Sequence, residues 1–186
     1  MAISRWIPAA AALLSVLLPA APAADLPRKA PDYTINLAGG KTLPLSQYKG
    51  HPVVLAFILT YCSHCQATVG VLSKLQNEYA PRGLEVLASA IEPDAQAALP
   101  NFVRNFSPPF PVGYNTGASA LEFLQHPVAK IPMMPLLAFI DKQGDIRAQY
   151  EGDDPFFNEQ VERNLRKEIE ALLKDGPPVK KKTGSR

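Results

Sequence analysis

Cysteine is scarce in this sequence: the 186 residues contain only two, Cys62 and Cys65, with two residues between them. A zinc site needs four ligands, and the sequence has neither a second cysteine pair nor a His-x-x-x-His spacing to complete one. A disulfide across so short a loop would stabilise a domain of this size poorly, because in the chain-entropy model the gain grows with loop length. A redox pair is therefore favoured, with a structural disulfide and a metal site as the alternatives.

A large excess of one charge is also missing. The chain carries 19 Lys and Arg against 17 Asp and Glu, which gives a formal net charge of +2. Between residues 24 and 175 the acidic residues outnumber the basic ones by 17 to 14, so the sequence argues against a nucleic-acid-binding domain. Residues 176–186 carry four of the basic residues in a Pro/Lys-rich segment, which predicts a disordered basic tail.

The apolar stretch at the N-terminus, residues 9–18, is too short for a comfortable membrane span. It follows a positive charge at Arg5 and precedes Ala21-Pro22-Ala23, a pattern typical of a signal peptide cleaved after Ala23. We expect a signal peptide over 1–23, one domain over 24–175 and a location in the periplasm or elsewhere outside the cytoplasm, where disulfides persist. Membrane contact is expected only if the N-terminal segment stays uncleaved.

The cysteine pair follows a continuous apolar run, residues 53–59, and precedes an amphipathic pattern over residues 63–79. The first pattern predicts a strand buried on both faces, and the second predicts a helix. Cys62 would then lie at the start of the helix, where unpaired N–H groups and the helix dipole favour a thiolate. Cys65 would lie one turn further along the same helix face.

The rest of the chain alternates between strand and helix patterns. The predicted elements are extended pieces at 33–37 and 42–45, a strand at 84–91, a helix capped by Asp94 with Leu99, Phe102, Val103 and Phe106 buried, a helix at 119–125, a strand at 134–140, its hairpin partner at 145–151, and a final helix at 155–173. This order predicts an α/β fold, with a mixed central β-sheet and helices on both faces.

Several motifs resemble those of exported TlpA/ResA-type thiol:disulfide oxidoreductases, within the broader AhpC/TSA and redoxin group. They are Ala30-Pro31-Asp32-Tyr33, Leu45-Ser46-Gln47-Tyr48-Lys49-Gly50, the segment from Val53 to Cys65 with its Cys-Ser-His-Cys, Phe110-Pro111-Val112, and the run from Pro135 to Asp141. The resemblance covers about residues 30–173. It implies a thioredoxin-like fold with an N-terminal β-hairpin extension.

The resemblance also implies roles for individual residues. Cys62 would attack the disulfide of a partner protein, and Cys65 would resolve the mixed disulfide. His64 would stabilise the Cys62 thiolate and make the disulfide more oxidising. A cis Met134–Pro135 bond would lie beside the pair and help to bind substrate.

The sequence departs from the family pattern at two positions near the cysteines. Tyr61 stands where such proteins usually have tryptophan, and we expect it to cover the thiol and contact substrate. Ala56 stands where thioredoxins have a buried aspartate, so proton transfer needs another acid. Glu92 and Asp94 are both candidates.

We therefore expect a protein-disulfide oxidoreductase that is a monomer and has no cofactor. Its direction is expected to be that of a specialised reductase rather than a general oxidant. Its partners would be a protein substrate and an upstream redox donor. A Sco-like copper-delivery module is the alternative, because Met133 and Met134 could supply thioethers for Cu(I). In Sco proteins, however, three residues separate the cysteines, whereas two separate them here. Peroxidase activity is disfavoured because the peroxidatic signature of peroxiredoxins is absent around Cys62. His51 and His126 are expected to have structural or solvent-exposed roles.

Overall fold

A computed structural model describes residues 25–174 of the chain. The predicted signal peptide at 1–23 and the predicted tail at 176–186 lie outside these residues. The strands are β1 (Arg28–Lys29), β2 (Thr34–Asn36), β3 (Thr42–Pro44), β4 (Val53–Ile58), β5 (Glu85–Ala90), β6 (Val112–Tyr114), β7 (Leu136–Ile140) and β8 (Asp145–Glu151). The α-helices are α1 (Ser63–Tyr79), α2 (Ala95–Phe106), α3 (Gly117–Leu124) and α4 (Val161–Lys174). Among these helices, none combines the length and apolar character needed to cross a membrane.

All the strands form one mixed sheet in the order β1-β8-β7-β4-β5-β6-β2-β3. Strand β4 pairs in parallel with β5 and antiparallel with β7, and the β2–β3 hairpin extends the sheet at one edge. The predicted thioredoxin-like α/β fold, with a mixed sheet and an N-terminal hairpin, is confirmed.

Strand β4 separates the two hydrophobic cores of the molecule. All six of its residues are buried, and alternate side chains point to opposite faces of the sheet. Val54, Ala56 and Ile58 pack in the core that includes side chains of α1, α2 and α4. The other three residues pack in the core that includes side chains of α3. Helices therefore cover both faces, as the continuous apolar run predicts.

Helices α1 and α4 are joined by ion pairs along their exposed edges. Three pairs connect α1 and the 3₁₀ turn that follows it to α4: Lys74 with Glu162 at 2.8 Å, Glu78 with Arg166 at 2.7 Å, and Arg82 with Glu170 at 2.7 Å. Each pair joins residues 88 positions apart in the sequence, so the two helices run parallel and in register.

The observed elements differ from the predicted ones at several points. Val103 and Phe106, which were predicted to be buried, are 40% and 38% exposed, and the buried face of α2 is formed by Ala95, Leu99 and Phe102. The final helix begins at Val161 rather than at 155, since the side chain of Asp154 caps a separate 3₁₀ turn over Pro155–Phe157. Strand β7 begins after Pro135, which has no N–H to donate to a neighbouring strand.

The fold brings the segment before β7 to the cysteine-bearing edge of the sheet. In the β4–β7 register Leu136 lies opposite Phe57, so Pro135 is level with the end of β4, from which the chain leads to Cys62. Gly152, just after β8, donates its N–H to the carbonyl of Met133 at 2.7 Å. The Met133–Pro135 segment is thus held from two sides.

We expect Gly152→Ala to destabilise the protein, because a Cβ atom there would lie 2.2 Å from the carbonyl oxygen of Met134 and 2.5 Å from its carbonyl carbon. Such overpacking typically costs about 1–3 kcal/mol in the free energy of unfolding. Urea denaturation measures the loss. The matched control is Gly70→Ala in α1, where nothing lies within 4 Å of the new Cβ and a gain of about 0.5–1 kcal/mol is expected. Equal effects of the two substitutions would contradict the packing argument.

Candidate functional site

Cys62 is the N-cap residue of α1, and its sulfur takes the place of the usual capping oxygen. The Cys65 N–H donates to Sγ of Cys62 at 3.4 Å, and the Gln66 N–H donates to the Cys62 carbonyl at 2.9 Å. The Cys62 side chain is partly exposed. A backbone donor aimed at the sulfur favours negative charge on it, and the exposure leaves it open to attack a partner.

Cys65 lies in a different environment, although it is one helical turn away. It is completely buried, and both cysteines are free thiols in this structure. Burial raises the pKa of the Cys65 thiol to about 12, and negative charge on Cys62 and Glu92 adds to this effect. The Leu59 N–H donates to the Cys65 sulfur at a long 3.5 Å and lowers the pKa by a smaller amount. Cys65 therefore holds its proton unless another group removes it.

Glu92 and Asp94 occupy unlike positions at the end of β5. Glu92 is only 4% exposed, and its Oε1 accepts the Thr60 N–H at 2.9 Å and also the Thr60 hydroxyl. Its Oε2 is buried and has no hydrogen-bond partner among residues 25–174. Asp94 is exposed, and in the same residues its side chain makes no capping bond at the start of α2. Glu92 is therefore the buried carboxylate of the two, and its charge acts on Cys65. Ala56 is buried in the core that contains Cys65.

His64 lies between the cysteines in sequence, but its ring is turned toward the C-terminal part of the chain. The imidazole contacts the ring of Phe157 edge-on, with centroids 5.1 Å apart. Within the described part of the chain, no hydrogen bond joins the His64 ring to either sulfur. Any effect of His64 on Cys62 in this arrangement is electrostatic.

The residues predicted to contact substrate, Tyr61, Met134 and Pro135, differ in their exposure and packing. Tyr61, next to Cys62, is 71% exposed, so its ring is available to a partner. Met134 is partly buried and packs against the core that contains Cys65, and Cys62 packs against the same core. The Met134–Pro135 bond is cis, as the sequence predicts.

Several residues near the site carry no sequence signal that would single them out. Gln66 donates an N–H of its side-chain amide (Nε2) to the Thr60 carbonyl at 2.8 Å, which ties the loop before Cys62 to α1.

The connection to the Met134–Pro135 segment carries exposed apolar side chains. They are Val128, Ile131 and Met133, which are 102%, 81% and 48% exposed. Exposed apolar side chains mark a partner surface where they form one continuous patch.

The described residues contain no group of three or more His, Cys, Asp or Glu side chains arranged to hold a metal ion. The side chain of His126 is 4% exposed, with Nε2 3.3 Å from Oε1 of Glu151. This contact is consistent with the structural role predicted for His126. His51 donates its N–H to the Tyr48 carbonyl in the turn before β4, at the opposite end of that strand from Cys62.

Comparison with known proteins places the chain among disulfide-exchange enzymes. The AhpC/TSA family profile matches residues 26–149. The thiol-disulfide oxidoreductase ResA of Bacillus thuringiensis is 27% identical over 143 residues, which are 77% of this chain and 78% of the relative. ResA of Bacillus subtilis is 27% identical over 93 residues, or 50% of this chain and 51% of the relative.

Solved structures show the same fold. A crystal structure described as a thiol:disulfide interchange protein DsbE from Chlorobium tepidum has a TM-score of 0.68 and 23% identity, and covers 80% of this chain and 98% of its own. A second thiol:disulfide interchange protein of the thioredoxin family, from Chlorobium tepidum TLS, has a TM-score of 0.66 and 19% identity and covers 81% and 99%. The fold of these proteins is therefore the fold of residues 25–174.

We expect iodoacetamide to modify Cys62 of the reduced protein before Cys65. The exposed sulfur is accessible, whereas the pKa of about 12 leaves Cys65 almost entirely protonated at neutral pH. The rates should differ by about 100-fold or more, since each pH unit below the pKa reduces the thiolate fraction tenfold. Mass spectrometry of Cys62→Ser and Cys65→Ser measures each thiol separately, and the two rates should converge in urea. Faster labelling of Cys65 in the folded protein would reverse the assignment.

Proposed function

Since the chain belongs to the AhpC/TSA family and is a TlpA/ResA-type thiol:disulfide oxidoreductase, we propose that it exchanges disulfides with a partner protein outside the cytoplasm. Cys62 and Cys65 carry the exchange. The observation that supports these roles is the contrast between the two sulfurs: one is partly exposed and receives a backbone donor, and the other is buried with a raised pKa.

In the first step the Cys62 thiolate attacks one sulfur of the partner's disulfide. A bond forms between Cys62 and that sulfur, and the partner's second sulfur leaves with the electron pair as a thiolate. The Cys65 N–H, 3.4 Å from the Cys62 sulfur, stabilises the attacking anion before the step. Burial keeps Cys65 protonated, so it does not compete for the partner.

In the second step Cys65 resolves the mixed disulfide. Glu92 accepts the proton of Cys65, and the resulting thiolate attacks the Cys62 sulfur. The Cys62–Cys65 bond forms, the bond from Cys62 to the partner breaks, and the partner is released as a dithiol. Glu92 is suited to this role because its Oε2 has no partner in the described structure, while its charge already affects Cys65.

The partner is proposed to lie across Tyr61 and the Met134–Pro135 segment. Tyr61 is exposed, and Met134 packs against the same core as Cys62, so both side chains can contact a chain linked to Cys62. A methionine adapts to different apolar surfaces, which favours breadth over tight selectivity. The adjacent exposed side chains of Ile131 and Met133 would widen this contact.

The reductase direction and the extracytoplasmic location are proposed from the resemblance to ResA and from the signal-like segment at 1–23. A reductase must be re-reduced by an upstream donor, which would meet the same exposed Cys62. Copper delivery is not favoured, because two residues rather than three separate the cysteines. In the described residues, moreover, the His64 ring contacts Phe157 and is not paired with a sulfur.

The function is tested by trapping partners in cells with Cys65→Ala. This variant can form a mixed disulfide through Cys62 but has no thiol to resolve it, so covalent adducts sensitive to dithiothreitol are expected. Cys62→Ala is the matched control and should give none. The unaltered protein should reduce a disulfide substrate with turnover in the presence of a thiol donor. No adducts and no turnover, together with stoichiometric Cu(I) binding, would overturn the proposal.

We expect His64→Pro to lower the reduction potential by about 30–70 mV, since removing the imidazole weakens the stabilisation of the reduced, thiolate form. Proline is tolerated in the first turn of a helix, where its missing N–H is not needed. Equilibration in glutathione redox buffers measures the potential. His51→Ala, a histidine far from the cysteines, should leave the potential unchanged. Equal potentials for His64→Pro and the unaltered protein would leave His64 without an electrostatic role.

A further inference from the structure

Thr60 links three elements of the structure through hydrogen bonds. Its N–H, at 2.9 Å, and its hydroxyl both donate to Oε1 of Glu92. Its carbonyl oxygen accepts Nε2 of Gln66 at 2.8 Å. The peptide that follows Leu59 is therefore fixed to α1 on one side, and it holds the carboxylate at the end of β5 on the other.

The two carboxylate oxygens of Glu92 therefore differ in their hydrogen bonding. Oε1 receives both donors from Thr60, while Oε2 is buried and has no hydrogen-bond partner within residues 25–174. Donors to a carboxylate favour its ionised form and oppose the effect of burial, which favours the neutral form. With Oε1 occupied, Oε2 is the oxygen left to accept a proton.

We propose that Thr60 is a positioning residue for disulfide exchange, which holds the Glu92 carboxylate through Oε1 and leaves Oε2 free to receive the proton of Cys65. Gln66 assists by fixing Thr60 in place. The inference rests on the proposed function, in which Glu92 is the acceptor. In the step concerned, the proton passes from Cys65 Sγ to Glu92 Oε2, the Cys65 thiolate bonds to Cys62, and the partner sulfur leaves Cys62 with the electron pair. Glu92 then returns its proton to solvent or to the departing thiolate.

The titratable groups around Glu92 limit what else could control its charge. Cys65 of α1 interacts electrostatically with it, and Asp94 lies two residues further along the chain. Tyr114 of β6 lines the same cavity of about 400 Å³ as Glu92. None of the residues that line this cavity is Lys, Arg or His, so no cation there replaces the Thr60 donors.

Single-turnover reaction with Ellman's reagent separates the two chemical steps. Attack by Cys62 releases one coloured thiolate and leaves a mixed disulfide, and resolution by Cys65 releases a second. We expect Thr60→Val, which keeps the backbone N–H but removes the hydroxyl, to move the acid-side midpoint of the resolution rate up by about 0.5–1 pH unit. Below the midpoint, resolution should be about 3- to 10-fold slower. The rate of the first step should not change, and Thr60→Ser should restore the original profile.

Further variants distinguish failure of this inference from failure of the proposed function. Glu92→Gln should remove the acid-side dependence, and Asp94→Asn should leave it intact. If Glu92→Gln has no effect, both the acceptor role and the inference fail. If Glu92→Gln acts but Thr60→Val does not, only the inference fails. It also fails if Thr60→Val has its full effect in the Glu92→Gln background. Should Thr60→Val not fold, Gln66→Met must shift the midpoint in the same direction, and an unchanged profile would overturn the inference.

Discussion

The burial of β4 on both faces is the constraint on which the rest of the structure depends. A strand without a polar face must be covered by helices on each side and flanked by strands on each edge. The parallel neighbour β5 ends at the same edge of the sheet as β4, and the antiparallel neighbour β7 begins there. For this reason Cys62, Glu92 and Pro135, which come from three distant parts of the sequence, all lie at the end of the sheet where β4 and β5 finish and β7 begins.

At that edge the protein must hold two acidic groups, Cys65 and Glu92, in one poorly solvated place. The structure treats them differently. Glu92 receives two hydrogen bonds from Thr60, while Cys65 receives one long contact from Leu59. Burial raises the pKa of the Cys65 thiol, so the proton stays on this sulfur. The two buried groups therefore differ in their hydrogen bonds, and the charge of Glu92 adds to the raised pKa of Cys65.

The sequence predicts the parts of this arrangement that follow from local patterns. The apolar run at β4, the helix after Cys62 and the mixed sheet of an α/β fold are all evident from periodicity and from the family resemblance. The choice between Glu92 and Asp94 cannot be made from the sequence. Both residues follow β5, and only the three-dimensional path of the chain decides which side chain is buried. The Thr60–Gln66 contact is equally hidden, since side-chain hydrogen bonds across a loop leave no periodic signal. The exposure of Phe106 could not be predicted either, because periodicity does not show how much of a helical face its neighbours cover.

The ion pairs between α1 and α4 have a consequence for alignment. Exposed pairs contribute little to stability individually, but their signs alternate along each helix. If α4 slid by one turn, Lys74 would face Arg166 and Glu78 would face Glu170, so attraction would become repulsion at each position. The charge pattern thus favours the observed register of α4 against α1 and disfavours the register shifted by one turn. Phe157 precedes α4 and its ring contacts His64, so the position of α4 also bears on the contact made by the residue that lies between the two cysteines in sequence.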